Sequence, residues 1–465
     1  MEQKTERLLL ISWFVTAAPL TLLGYGSDGD AWGVAKAATR IWHTGEYVRS
    51  RTTGFPLFEI IETPLIHFGE WYLSNLFVLI CGVSLLVSLL YLARKGNLSH
   101  PFLSVVTFAF LPVIIKNSTS TMDYVPALSL LLWAYAVMLQ KRWYLAAILI
   151  GVACGFRPTS GLFVLPLCLY LFLEDQNRFL VLRVFSVALF CGMAAYSPAL
   201  LKYGIPNVYG SINLDFQTRL FAGGYTVLKL FGIVQSFILL FALVGVLRTQ
   251  KTARTIYPLL LFHFSNIIVW VSLFLFLPDE SEYLLPLVPS FIFLLDVVAT
   301  TKAFALISLV LLSYHFIQID VLGGESGDRV FHASVGPGLT VDDIQNRLFI
   351  LSTRDAATHY YAREKTLLMF GAAWIPAAND LWIKDAQYGL NRQINGNLYI
   401  SGLIRNEEEL KNLRAAGFRM FVWRGAKWEY IRTGNPYWKT YVTVVDDLSA
   451  FFGSPVGEKG AINQR

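Results

Sequence analysis

Charge is scarce in this chain: Asp, Glu, Lys and Arg make up only 15% of its 465 residues. Soluble domains carry about 25%, so a freely soluble protein is excluded. Cysteine is scarce too, with four in all, Cys81, Cys154, Cys168 and Cys191. Each falls inside an apolar run, and none lies in the polar C-terminal part, which excludes a disulfide framework there. There is no internal repeat or low-complexity tract, and the C-terminal part carries no phosphate-loop motif or metal-ligand spacing. The formal charge of +6 comes from bases in short loops between apolar runs. That placement controls topology and gives no nucleic-acid signal.

What the chain has in abundance is hydrophobic surface, 55% of its residues, with a mean hydropathy of +0.51. Apolar runs of about 17–25 residues match the thickness of a bilayer core. The expected fold class is a polytopic α-helical membrane protein with about 11 transmembrane helices, followed by a soluble α/β domain. The expected spans are 8–24, 73–93, 101–116, 122–140, 143–157, 160–174, 179–198, 226–247, 256–277, 283–299 and 302–321. The first is read as an uncleaved helix, because no small-x-small cleavage site precedes Asp28.

Lys4/Arg7, Arg94/Lys95, Lys141/Arg142, Arg178/Arg183, Arg248/Lys251/Arg254 and Lys302 fall on one side of that arrangement. The positive-inside rule makes that side cytoplasmic, which predicts an integral plasma (inner) membrane protein with a cytoplasmic N-terminus. The loop 25–72, the segments 117–121, 199–225 and 278–282, the turn near Arg157 and the region 322–465 then face outward. The predicted division is a membrane module over 1–321 and an extracytoplasmic α/β domain over 322–465.

The first outer loop has helical periodicity from Asp30, with Val34, Ala38 and Ile41 on one face and Trp42 beside them. This predicts an amphipathic helix on the membrane surface, ended by Gly45. A second helical stretch is expected over Leu57–Phe68, with Trp71 and Tyr72 at the interface. In the C-terminal part, 347–351, 366–370 and 419–423 read as strands, and Glu407–Ala416, closed by Gly417, reads as a helix.

Four polar groups at the outer ends of helices are candidates for chemistry. Asp28 and Asp30 follow the first span; a carboxylate there suits a general base, and Asp30 equally suits a helix N-cap. Lys116 and Asp123 flank the polar run Asn117-Ser118-Thr119-Ser120-Thr121. Lys116 suits a lipid phosphate, Asp123 suits either a sugar contact or a cap, and Asn117-Ser118-Thr119 fits a glycosylation sequon. Arg157, fixed by Pro158, suits a phosphate or an interfacial snorkel; Arg49 and Arg51 are further phosphate candidates. Glu282 and Tyr283 suit sugar hydroxyls and a sugar face. Three other polar residues, His263, Asn266 and Asp296, sit deeper and read as packing groups.

The order of motifs resembles the GT-C superfamily of membrane glycosyltransferases. It is most similar to members related to protein O-mannosyltransferases and to the lipid A aminoarabinose transferase. The resemblance rests on the acidic first outer loop, Thr44-Gly45-Glu46-Tyr47, Gly54-Phe55-Pro56-Leu57-Phe58-Glu59, Thr121-Met122-Asp123-Tyr124, Gly155-Phe156-Arg157-Pro158-Thr159 and Tyr283-Leu284-Leu285-Pro286-Leu287-Val288-Pro289. It implies transfer of a sugar from a polyprenyl-phosphate donor to a protein, lipid or glycan acceptor outside the cytoplasm, with inversion. It also implies that an Asp of the first loop is the base, which falls on Asp30. Ala31 stands where relatives often carry Glu, which either weakens a second carboxylate role or moves it to Asp28. Glu59 lies in the second motif and is a candidate for sugar or acceptor contact. Metal use varies across that superfamily, so a divalent ion is left open and no ligand is assigned. The competing readings are a flippase or transporter for a lipid-linked sugar, an O-antigen polymerase or ligase, and a membrane-anchored binding protein. Clustering of charge at outer helix ends, an early rather than late long loop, and a helix count far above an anchor's need argue against each in turn.

Overall fold

Apolar periodicity builds the first half of the chain into long helices joined by short polar turns. The computed structural model describes residues 3–96, 98–204, 257–276, 281–322 and 331–356, single positions within 224–236 and 412–416, and the strand segments named below.

Helix α1, Gln3–Ala17, is fixed by Trp13, fully buried, whose indole N–H donates to the Ala109 carbonyl at 2.7 Å. A 3-10 turn, Ala18–Leu22, leads to the loop that carries Asp28. Helix α2, Gly29–Thr44, ends at Gly45 as expected; its φ of 67° suits a residue without Cβ. The face carrying Val34 and Ala38 is buried against the following helix rather than laid on a membrane surface. Only the far end, where exposed Trp42 stacks on His67 at 3.8 Å, is open.

Helix α3, Pro56–Lys95, contains a break at Gly69 and Glu70, the latter with φ of 48°. The break separates the expected stretch 57–68 from the expected span beginning at 73. The single helix expected over 101–116 is instead two, α4 Pro101–Ala109 and α5 Pro112–Ser118, bent by 58°. Pro112 has no N–H to continue the ladder and starts a new helix.

Helices α6 (Tyr124–Met138), α7 (Trp143–Phe156), α8 (Val164–Asp175) and α9 (Arg178–Tyr203) follow, with a 3-10 turn, Pro158–Phe163, before α8. Helices α7 and α9 meet at Gly151 and Gly192, where a Cβ on Gly151 would lie 2.4 Å from that of Cys191. Small residues permit such close approach in a bilayer. The expected span 226–247 lies largely outside the described residues.

Helix α10, Tyr257–Phe276, a 3-10 turn, Ser281–Leu287, α11, Val288–Val298, and α12, Thr301–Ser313, complete the apolar part. The last expected span reached 321. It stops at Ser313 because Ile317–Leu322 (β1) pairs antiparallel with Phe331–Pro337 (β2). By length and composition, four helical segments among the described residues can cross a bilayer, or five with the bent pair. Three more apolar helices, α6, α7 and α12, are shorter. This is an integral membrane protein, and among the described residues the spans fall short of the expected eleven by that measure.

Helix α13, Leu339–Ala356, corrects the strand expected over 347–351. Asp343, Asn346, Arg347 and Ile350 are buried while Leu348 is exposed, a helical face rather than an alternating one. It packs against α5, although it lies beyond the division expected at 322. Five further strands, β3 (Thr366–Met369), β4 (Gln393–Ile394), β5 (Leu398–Ser401), β6 (Arg419–Trp423) and β7 (Val442–Val444), form a sheet ordered β4-β5-β3-β6-β7. Its centre is parallel and its edges antiparallel. Strands β3 and β6 fall where expected, and the helix expected over Glu407–Ala416 lies largely outside the described residues.

Candidate active site

The loop after the 18–22 turn is pinned to the turn between α5 and α6. Thr121 donates its N–H to the Tyr25 carbonyl at 2.7 Å, and Asn75 of α3 donates to the carbonyls of Thr21 and Gly24 at 2.9 and 2.7 Å. Trp32 donates to the Gly26 carbonyl at 2.9 Å. These bonds bring Asp28 and Asp30 to the side of the turn that carries Asp123.

Asp28 is the N-cap of α2: its carboxylate accepts the Asp30 N–H at 2.9 Å. Asp30 is therefore one turn position inside the helix, and its side chain is turned to Arg51, with Nη1–Oδ2 at 2.7 Å. Arg51 also binds Asp123 through Nη2. Asp123 stands at the cap position of α6 but makes no side-chain cap bond. Its second oxygen accepts from Arg157 Nη1 at 2.6 Å. Asp30, Arg51, Asp123 and Arg157 thus form one chain of alternating charge. The Arg157 guanidinium lies 3.9 Å from the ring centre of Tyr124 and 4.6 Å from that of Tyr283, and Arg51 lies 4.1 Å from that of Phe55. Arg157 is buried and paired, not snorkelling.

Burial disfavours the charged form of Asp30, and the Asp28 and Asp123 charges add to that. Together they hold its carboxyl above the ordinary carboxylate range despite Arg51. Burial also works against the charged form of Asp123, but Arg51 and Arg157 together outweigh it and hold that carboxyl low. One carboxylate is therefore made basic and its neighbour is kept ionised.

Arg51 is presented by a loop built around Glu59. That buried carboxylate accepts from the Tyr47 hydroxyl (2.5 Å), the Ser50 N–H (2.6 Å) and hydroxyl (2.5 Å) and the Phe55 N–H (3.0 Å). The candidate sugar contact is thus committed to its own loop. Arg49 is turned elsewhere, to the Thr52 carbonyl at 2.7 Å and over the Tyr203 ring.

A second charged group adjoins the first. Lys116 Nζ pairs with Glu282 at 2.9 Å, and the charges of Asp28 and Asp343 also act on it. Asp343 accepts from the Ser27 hydroxyl at 2.5 Å and pairs with Arg347 at 2.9 Å. Asp343 and Arg347 are not singled out in the sequence, although their i,i+4 spacing was a signal once 339–356 is taken as a helix. The sequon reading is corrected: Asn117 is buried and donates to the Val113 carbonyl at 2.8 Å. His263 lies between Tyr135 and Ser290, and Asp296 accepts the N–H groups of Ser99 and His100. These buried polar groups are satisfied within the protein. Among the described residues, no three His, Cys, Asp or Glu side chains gather as a metal site.

An apolar cavity of about 440 Å³ lies between α7, the 158–163 turn and α9, lined by residues including Cys154, Leu162, Phe185, Leu189 and Met193. Its polar end is marked by Pro158, next to Arg157, and by Tyr196, whose hydroxyl donates to the Thr53 carbonyl in the Arg51 loop.

No protein-family model matches the sequence, and no curated protein matches it. Solved structures that resemble the fold include two of ArnT. One is ArnT from Cupriavidus metallidurans in the apo state, at 10% identity and a TM-score of 0.51, covering 92% of this chain and 94% of that one. The other is ArnT from the same organism bound to undecaprenyl phosphate, at 10% identity and a TM-score of 0.49, covering 93% and 95%. The likeness to the apo structure extends over nearly the whole chain and is one of fold.

Proposed function

We propose that this chain is an integral-membrane glycosyltransferase that moves a sugar from a polyprenyl-phosphate donor to an acceptor at the extracytoplasmic face, with inversion. The observation that carries the reading is the Asp30–Arg51–Asp123–Arg157 chain of charges beside an apolar groove. A charged headgroup on a long hydrocarbon tail needs both features side by side. The GT-C-like fold and the distribution of Lys and Arg support the membrane setting and the outward face.

In the proposed step the acceptor oxygen attacks the anomeric carbon, and the bond from that carbon to the phosphate oxygen breaks. Asp30 takes the acceptor proton. Arg51 and Arg157 bind the departing phosphate and stabilise the charge it gains. Donor binding competes with Asp30 for Arg51, so phosphate arrival releases the base from its resting ion pair. Asp123 holds the two guanidinium groups at the spacing the phosphate meets. Tyr283 offers a ring face beside Arg157, and Lys116 with Glu282 borders the acceptor side. The tail occupies the groove between α7 and α9.

The test is transfer from polyprenyl-phosphate-linked sugars by the full chain in nanodiscs. Asp30→Asn is expected to remove transfer while leaving polyprenyl-phosphate binding intact. Full activity of that variant would remove Asp30 from the base role. Movement of labelled donor across proteoliposomes without transfer would favour the flippase reading instead.

A further inference from the structure

Helix α13 reaches back into the membrane module with two buried charged side chains, Asp343 and Arg347. Arg347 is fully buried. It donates to the Thr119 carbonyl at 2.8 Å, the Ser120 hydroxyl at 2.5 Å, and the Leu20 and Lys116 carbonyls at 3.2 and 3.3 Å. The acceptors on 116–120 belong to the end of α5 and the turn that leads to Asp123. A guanidinium at a helix C-terminus satisfies carbonyls that have no partner within the helix. Its ion-pair partner, Asp343, accepts from Ser27, the residue before the α2 cap. One turn of α13 therefore grips both segments of the site, the base loop and the Asp123 turn.

We propose that Arg347 and Asp343 are positioning residues: through Ser27 and the 119–120 turn they set Asp30 against the Arg51–Asp123–Arg157 group. The chain's late segment thus completes a site whose reacting groups all come from its first 160 residues or so. This rests on the functional reading above, and the two fail separately. A site split between a loop and a turn needs a third element to hold them in register, because small misplacement costs rate steeply.

The experiment compares wild type, Arg347→Gln, Arg347→Lys and Ser27→Ala, all as full chains in nanodiscs. Hydrogen–deuterium exchange is read over 23–31 and 117–123, beside thermal stability and transfer kinetics. Arg347→Gln is expected to raise exchange about tenfold in both windows and not in α7–α9, with Arg347→Lys recovering part of it. Ser27→Ala removes one hydroxyl and leaves the Asp343–Arg347 pair. It is expected to raise exchange in 23–31 alone and to lower kcat several-fold with KM for the donor unchanged. Exchange unchanged in both windows for Arg347→Gln would overturn the proposal, whatever the activity. So would kcat and KM in Ser27→Ala matching wild type. If wild type transfers no sugar while the exchange pattern appears as expected, the glycosyltransferase reading falls and the clamp stands.

Discussion

Asp30 and Asp28 are two residues apart, yet the fold gives them different work. Asp28 spends its side chain on the helix cap, and Asp30, freed from that, faces Arg51. Their spacing makes Asp28 a charge that bears on Asp30. The sign of the pH dependence follows. Asp30 must be ionised to take a proton, so transfer is present above its pKa and lost below it. Because its carboxyl is held above the ordinary value of 3.8, the acid limb of the rate profile is expected at a midpoint above that value. Asp28→Asn keeps a good cap residue and removes one negative neighbour, so the midpoint is expected to move to lower pH by a fraction of a unit. A pH–rate profile of the two proteins checks it; a shift upward would contradict the arrangement. Asp123 carries a related lesson. Its position before α6 reads as a cap, but two arginines claim both oxygens, and arginines so far apart in sequence cannot be paired with it by local pattern.

At the scale of elements, the loop 46–55 is the part most dependent on one side chain. Glu59 accepts four bonds from it, so Glu59→Gln puts an amide N–H₂ against donors. A loss of about 1–3 kcal/mol is expected, seen as a lower melting temperature. Polyprenyl-phosphate binding should weaken with it, because Arg51 is presented by that loop. Unchanged stability and binding would separate Glu59 from the Arg51 loop. The elements themselves were legible where apolar periodicity ran long: α3 after its break, α6, α7 and α9 fall near the expected spans, whereas α1 ends at Ala17, short of the expected 24, and gives way to a 3-10 turn. The bend between α4 and α5 was written in Pro112 but hidden by a continuous apolar run. The segment 347–351 was misread because five apolar-rich residues fit a strand or a helix equally well. Its true period emerges only over 343–350, where Asp343, Arg347 and Ile350 share a buried face. The site's acids and bases were individually visible as polar residues at helix ends. Which of them meet was not visible, since that depends on how α2, α3 and α6 pack.

For the molecule as a whole, the proposed function needs a path that joins a hydrocarbon environment to a charged pocket. The cavity between α7 and α9 supplies the first half. Its lining is apolar, and one end abuts Arg157 through Pro158 and the Arg51 loop through Tyr196. A tail lying there places its phosphate against the cations without bringing charge into the bilayer core, where it is costly. Gly161 and Ala188 line that cavity, and neither contributes a polar group to the site. Ala188→Phe should therefore fill the tail path while leaving the charges untouched. KM for a long-chain polyprenyl-phosphate donor is expected to rise about tenfold, with kcat within about twofold of wild type. A short-chain donor analogue, which needs little of the groove, should keep its KM. Each kinetic outcome has a distinct meaning. A rise for both donors would mean that the substitution disturbs the headgroup site through α9. No rise for either would mean that the tail leaves the pocket by another route, and the cations would then have to be reached from a different face of the helix bundle.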